Sequence, residues 1–289
     1  MKRRRFLALS AAAGAAAGLG VEGFAVETGD VQFTEHVVNG RRGADERRVT
    51  FAHVSDLHLR GIAGVHRRIA AEIAARRPAF VVLTGDSVEG PAGLPLLDAF
   101  LGLLDPAVRK YAVLGNWEHW GKVDVGALRA VYARHECRLL VNETVMHWHE
   151  GRGIAVTGLD DFVGKPDLTA ALRGIAPAHG HLVLAHTPEQ RDGLGVGAAP
   201  VNAFGVPVPV PADLAAYGVD AVLSGHTHGG QIALFGWAPV LPPGSGRYAR
   251  GWFRDGALPP LFVSRGVGTT VMPVRLGSRP EVAFHAMWV

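Results

Sequence analysis

Val49-Thr-Phe-Ala-His-Val-Ser-Asp-Leu-His58 is a run of strand length that stops on a carboxylate and an imidazole. Its β-branched and apolar residues predict a strand over residues 49–55. Asp56 and His58 follow as ligand-type side chains at i and i+2, which share a face in extended chain. Alone, such a tripeptide reads as a turn with a surface histidine. The next segments change its weight. Residues 66–77 carry Ile69, Ala70, Ile73 and Ala74 at helical spacing and end at Pro78. Residues 80–83 predict a second strand, stopping at Thr84-Gly85-Asp86, and residues 94–104 read as a helix. Residues 110–114 predict a third strand, stopping at Gly115-Asn116. This β-α-β-α-β rhythm predicts an α/β fold with parallel strands and right-handed crossovers.

The second half repeats the theme less regularly. Residues 154–159, 181–185 and 221–224 predict short strands, the second ending at His186 and the third at Gly225-His226-Thr-His228-Gly-Gly-Gln231. Residues 231–235, 261–264 and 282–288 point to a second sheet. The Pro/Gly-rich stretch 192–211 predicts a long surface loop between two of these motifs. Residues 128–137 look helical, with the single cysteine, Cys137, as a small buried apolar residue; one cysteine excludes an intrachain disulfide. Residues 26–47 read as a linker or an early edge strand. Residues 48–289, without an internal repeat, read as one domain.

Five of the predicted strands thus end at a residue or motif able to bind a metal. In open α/β sheets ligands gather beyond the carboxyl ends of the strands. Asp56, His58, Asp86, Asn116, His186, His226 and His228 are therefore expected to meet in one crevice. Singly, each has an ordinary explanation: Gly-Asp and Gly-Asn are common turns, and a lone histidine after a strand is often a satisfied buried ring. Two imidazoles at i and i+2 between glycines form a compact ligand pair, and the joint pattern carries more weight than any part.

The ordered set Asp56-x-His58, Gly85-Asp86, Gly115-Asn116, His186 and Gly225-His226-x-His228 resembles the calcineurin-like metallophosphoesterase superfamily. The run through Gln231, the tail Val263-Ser-Arg-Gly-Val-Gly268, Pro273-Val-Arg275 and Arg279-Pro-Glu281 look like its bacterial exported branch. The resemblance implies a four-layer α/β/β/α sandwich of two mixed β-sheets over residues 48–289. It implies one divalent ion on Asp56, His58, Asp86 and His228 and another on Asp86, Asn116, His186 and His226, with Asp86 bridging. Mn, Fe or Zn suits such mixed imidazole and carboxylate ligands. The implied reaction is hydrolysis of a phosphodiester or phosphoanhydride by a metal-bridging hydroxide.

One position departs from the family. A histidine usually follows the metal-binding Asn, and here it is Trp117. His119 is the candidate replacement, the alternative being an imidazole with no catalytic part. Without an acid, poor alkoxide leaving groups would be cleaved slowly, which tilts the expectation toward pyrophosphate-type or activated diester substrates. Trp117, Trp120, Phe235, Trp237, Trp252 and Phe253 are expected to form core and second-sheet packing, the alternatives being a pocket lining or a lipid-facing rim. Arg247, Arg250 and Arg265 are candidate phosphate clamps.

Residues 1–25 read as targeting. Arg3-Arg-Arg-Phe-Leu7 has the form of a twin-arginine signal, and a weakly apolar Ala/Gly stretch follows it. Export across the cytoplasmic membrane by the twin-arginine machinery is the expectation, with an uncleaved anchor as a variant. The chain has 29 Lys+Arg and 26 Asp+Glu; removal of Lys2, Arg3, Arg4, Arg5 and Glu22 leaves 25 of each. A near-neutral body argues against a nucleic-acid partner. The expected partner is a phosphorylated small molecule or lipid, with peripheral membrane contact. Two alternatives stand beside it: a pyrophosphatase acting on a nucleotide-linked lipid such as UDP-diacylglucosamine, and a non-catalytic metal-binding scaffold.

Overall fold

A computed structural model describes residues 27–41, 43–194, 217–256 and 258–289. The signal-like residues 1–25 and residues 195–211 of the Pro/Gly-rich stretch lie outside the described residues. The chain order is β1 (Gln32–Val37), β2 (Arg48–Val54), α1 (Gly64–Arg76), β3 (Phe80–Thr84), α2 (Leu94–Leu101), β4 (Arg109–Val113), α3 (Asn116–Trp120), α4 (Val125–Ala133), β5 (Cys137–Leu139), β6 (Glu143–His149), β7 (Arg152–Gly158), α5 (Leu168–Ala171), β8 (Gly180–Leu184), β9 (Ala221–Ser224), β10 (Gly251–Phe253), β11 (Leu261–Val263) and β12 (Glu281–Trp288).

These strands form two six-stranded mixed sheets, ordered β1-β12-β2-β3-β4-β5 and β10-β11-β9-β8-β7-β6. In the first, β2 to β5 run parallel, while β12 is antiparallel to β2 and parallel to β1. In the second, β11, β9, β8 and β7 run parallel, with β10 and β6 antiparallel at the edges. The period of two along each strand divides the core. Ala52, Val54, Val81 and Leu83 face α1, α2 and α4. Phe51, Phe80, Val82 and Val113 face the other way, onto Ile154, Val156, Leu182 and Phe262 of the second sheet. Beyond that sheet, Val183, Val222 and Val263 pack on Leu168, Leu172 and Tyr248. Three apolar layers between four strata make the α/β/β/α sandwich. No helix among the described residues is long and apolar enough to cross a membrane.

Several sequence expectations are corrected. The stretch 26–47 contains β1, so the edge-strand reading holds over part of it. Residues 282–288 belong to the first sheet, because β12 inserts between β1 and β2. Residues 231–235 are no strand: only isolated bridges, Ile232 with Leu276 and Leu234 with Trp237, form there. Cys137 is buried but starts β5, since α4 ends at Ala133. The hairpin strand β6 went unread because its face is only half buried and alternates weakly.

Glu118, in the first turn of α3, is buried and ties the loops after β3 and β4 together. Its carboxylate accepts from the backbone N–H groups of Gly115 (2.9 Å), Asp86 (3.0 Å), Ser87 (2.7 Å) and Val88 (3.2 Å). Four buried donors would lose their acceptor if it were removed, each costing on the order of 1–3 kcal/mol. Glu118→Ala is therefore expected to lower unfolding stability by roughly 3 kcal/mol or more in metal-free urea titrations. A loss within 0.5 kcal/mol, the range of an ordinary surface change, would refute this role.

Candidate metal centre

The parallel strands of both sheets aim their carboxyl ends at one rim. Asp56 and His58 follow β2, Asp86 follows β3, and Asn116 opens α3 after β4. From the second sheet, His186 follows β8, and His226 and His228 follow β9. All seven side chains are buried. Six of them assemble as two groups able to hold a metal ion, Asp56 with His58 and His228, and Asp86 with His186 and His226. Within each group the ligand atoms lie within 4.8 Å of one another. Each group draws on both sheets.

The distances show how the groups adjoin. His58 Nε2 is 3.1 Å from His228 Nε2, and His228 Nε2 is 3.6 Å from Asp56 Oδ1. His226 Nδ1 is 3.2 Å from His186 Nε2, and Asn116 Oδ1 lies 2.9 Å and 3.0 Å from these two atoms. Asp86 lies between: its Oδ2 is 3.5 Å from His58 Nε2 and 3.2 Å from His186 Nε2. The Trp117 N–H occupies its other oxygen, donating to Oδ1 at 2.9 Å.

The donor set fits divalent cations. A histidine that donates its outer N–H to an acceptor turns the lone pair of the other nitrogen inward. His186 Nδ1 has the Thr84 carbonyl at 2.7 Å, His226 Nε2 the Pro243 carbonyl at 2.8 Å, and His58 Nδ1 the Glu89 carboxylate at 3.1 Å. Imidazole nitrogens 3.1–3.2 Å apart, beside two buried carboxylates, are the contacts that a shared cation would relieve. His228 differs, since its Nδ1 faces Arg275 Nη2 at 3.1 Å. Arg275 is fully buried and donates to the carbonyls of Gly268, Arg265 and Ser278. Burial pulls its pKa down to about 9.

The local backbone is strained to bring these groups together. Asp56, His58, Asp86, His226 and His228 all have φ between +42° and +71°, a region costing non-glycine residues of order 1–3 kcal/mol each. Glycines permit the close approach. A Cβ on Gly225 would lie 2.2 Å from Asp56 Oδ2, and one on Gly115 would lie 2.2 Å from Asp86 Oδ1. In its place beside Asn116, Trp117 sets its ring edge to the His58 ring at 6.1 Å and to Trp120 at 5.7 Å.

Asp160 and Asp161 extend the same rim after β7 and were not singled out from sequence. The segment Gly158-Leu-Asp-Asp161 obeys the strand-end rule that marked Gly85-Asp86, so the signal was present. His119 Nε2 is 2.7 Å from Asp160 Oδ1, and this bond, ahead of the opposing burial, raises the imidazole pKa above its usual 6.5. Asp161 accepts a short bond from Thr187 Oγ1, next to His186. The arginines expected to clamp phosphate are engaged elsewhere: Arg265 with Glu281 and Gln32, Arg247 with Asp255, and Arg250 with two backbone carbonyls. Of the aromatic residues, Trp252 packs on Phe262 and Phe253 on Tyr248, whereas Phe235 and Trp237 are exposed.

Similar proteins bear on the class of this site. The Bacillus subtilis uncharacterized metallophosphoesterase YkoQ is 28% identical over 269 residues, covering 89% of this chain and 91% of its own. A second from that organism, YkuE, is 26% identical over 307 residues, covering 99% of this chain and 98% of its own. Among solved structures, a 5'-nucleotidase precursor from Thermus thermophilus aligns with a TM-score of 0.45 at 16% identity. That match takes in 83% of this chain and 54% of the nucleotidase, so the chain spans about half of that protein. The family model for calcineurin-like phosphoesterase matches residues 49–230, from β2 through the paired histidines, and the chain belongs to that family.

Proposed function

We propose that the chain hydrolyses phosphodiesters or phosphoanhydrides at a two-cation centre. Asp56, His58, Asp86 and His228 hold one ion, and Asp86, Asn116, His186 and His226 the other. The position of Asp86 carries this reading, because its Oδ2 lies within reach of an imidazole from each group. Ions of the Mn, Fe or Zn kind bound there would lower the pKa of coordinated water and neutralise phosphoryl charge. Asn116 contributes a neutral oxygen and so adds no charge that repels a phosphate. Asp86 keeps its orientation through the Trp117 N–H and the backbone clasp of Glu118.

His119 serves as the acid in this scheme. It lies one helical turn beyond Asn116, hence on the same side of α3. Asp160 holds its Nε2, which leaves the Nδ1 proton for the leaving group. The complete set of seven polar groups favours an enzyme over a scaffold. The Arg3-Arg-Arg-Phe-Leu7 motif supports a site of action outside the cytoplasmic membrane.

Turnover of a chromogenic aryl phosphodiester should disappear on chelation, return with Mn, and be absent in Asp86→Asn whose circular dichroism matches the parent. Unchanged turnover after exhaustive chelation would remove the two-cation reading. His119→Gln should cost about a hundredfold on alkyl leaving groups and far less on aryl oxides. Equal losses on both would rule His119 out as the acid. Because Asp160 raises the pKa of His119, alkyl-ester turnover should persist above pH 6.5 and fall as pH climbs through the shifted value. The ion pair's stabilisation of the fold is likewise full below pH 6.5 and fades over that same interval. A pH–rate profile of the parent and of His119→Gln checks the first, and urea unfolding of both across the same pH range checks the second.

A further inference from the structure

Six of the ten exposed large apolar residues among the described residues lie within 234–272: Leu234, Phe235, Trp237, Val240, Val271 and Met272. Two loop tips present them. Leu234 and Trp237 exchange backbone bonds of 2.9 Å and 3.0 Å, leaving Phe235 and Gly236 as a two-residue turn. Phe235 there is 108% exposed with φ +49°, and Val271 on the neighbouring loop is 83% exposed with φ +60°. A bulky or β-branched residue is disfavoured in left-handed backbone and again by full exposure, so neither helps this fold. The loops are tied together, since Arg250 donates to the carbonyls of Gly236 and Gly277, and Gln231 and Thr270 bond to each other.

Behind the tips lies a cavity of about 360 Å³ walled by Ile232, Val240, Pro242 and Met272. Its inner wall is Thr227 and His228, so it opens directly beside the metal centre. Arg250, whose guanidinium spans the two loops, has no carboxylate partner among the described residues, whereas Arg247, Arg265 and Arg279 pair with Asp255, Glu281 and Asp30 and Arg275 is buried.

We propose that the Phe235 and Val271 loops dock on an anionic lipid surface, and that the cavity takes the acyl end of a lipid phosphoester. The phosphate of that substrate would lie at the centre formed by His228 and its neighbours, so the inference rests on the hydrolase reading above. Aromatic and aliphatic tips joined by the Arg250 guanidinium match the acyl boundary and the phosphate layer of such a surface.

The test compares the full chain with the double variant Phe235→Ser, Val271→Ser, both solvent-facing changes. Co-sedimentation with phosphatidylglycerol vesicles should weaken at least tenfold in the variant, the size expected for withdrawing large apolar side chains from lipid. Phosphatidylcholine vesicles should bind the parent more weakly. Turnover of a vesicle-borne acylated phosphodiester should fall by a similar factor, while that of the soluble aryl diester stays within about twofold. Equal vesicle binding by parent and variant overturns the proposal. So does a parent dimer, seen in sedimentation equilibrium, that the double variant dissolves without loss of vesicle binding. If vesicles bind but neither diester is cleaved with Mn, hydrolysis fails and the docking surface stands. If the soluble diester is cleaved while vesicles are ignored, the reverse holds.

Discussion

Two aspartate carboxylates, Asp56 and Asp86, lie beyond the reach of bulk water, and the surrounding structure makes that tolerable. An isolated buried carboxylate is costly enough to unfold a domain, so each must be paired, hydrogen-bonded or bound to a cation. Asp56 takes the Ser55 hydroxyl and the His226 N–H; Asp86 takes the Trp117 N–H. Their remaining lone pairs meet four imidazoles. Burial, charge and strand geometry therefore converge on the same few atoms.

The glycines of the motifs follow from the same requirement. Gly115 and Gly225 leave room for the carboxylates that approach their backbones. Five of the seven polar groups accept left-handed backbone, and Glu118 holds two adjacent loops by their N–H groups. Strain and clasp belong together: without the clasp, the strained loops would relax away from the geometry that the carboxylates need.

The convergence of Asp56, His58, Asp86, Asn116, His186, His226 and His228 could be read from sequence because each lies just past an apolar strand. Topology turns that linear pattern into a cluster. Asp160 and Asp161 obey the same rule, lying just past the strand expected over residues 154–159, so their place on the rim was legible as well. The sheet membership of β12 was not legible: a mostly apolar run states that it is buried, not beside which strand. The clasp of Glu118 is not written in the sequence, since its partners are backbone groups brought near only by folding. Val271 carries no periodic signal and Phe235 lies in a stretch that reads as strand, so the role of both loops comes from exposure and dihedral angle.

The insertion of β12 between β1 and β2 also bears on how the protein is made. Glu281–Trp288 leave the ribosome after every other described strand, yet they occupy an interior lane of the first sheet. Until they arrive, β1 has no neighbour among the described strands, and the flank of β2 stays open. The nascent chain must hold an unpaired strand edge until the last described strand has been made, a state prone to mispairing. Completion of the sandwich thus waits on the joining of the first described strand to the last.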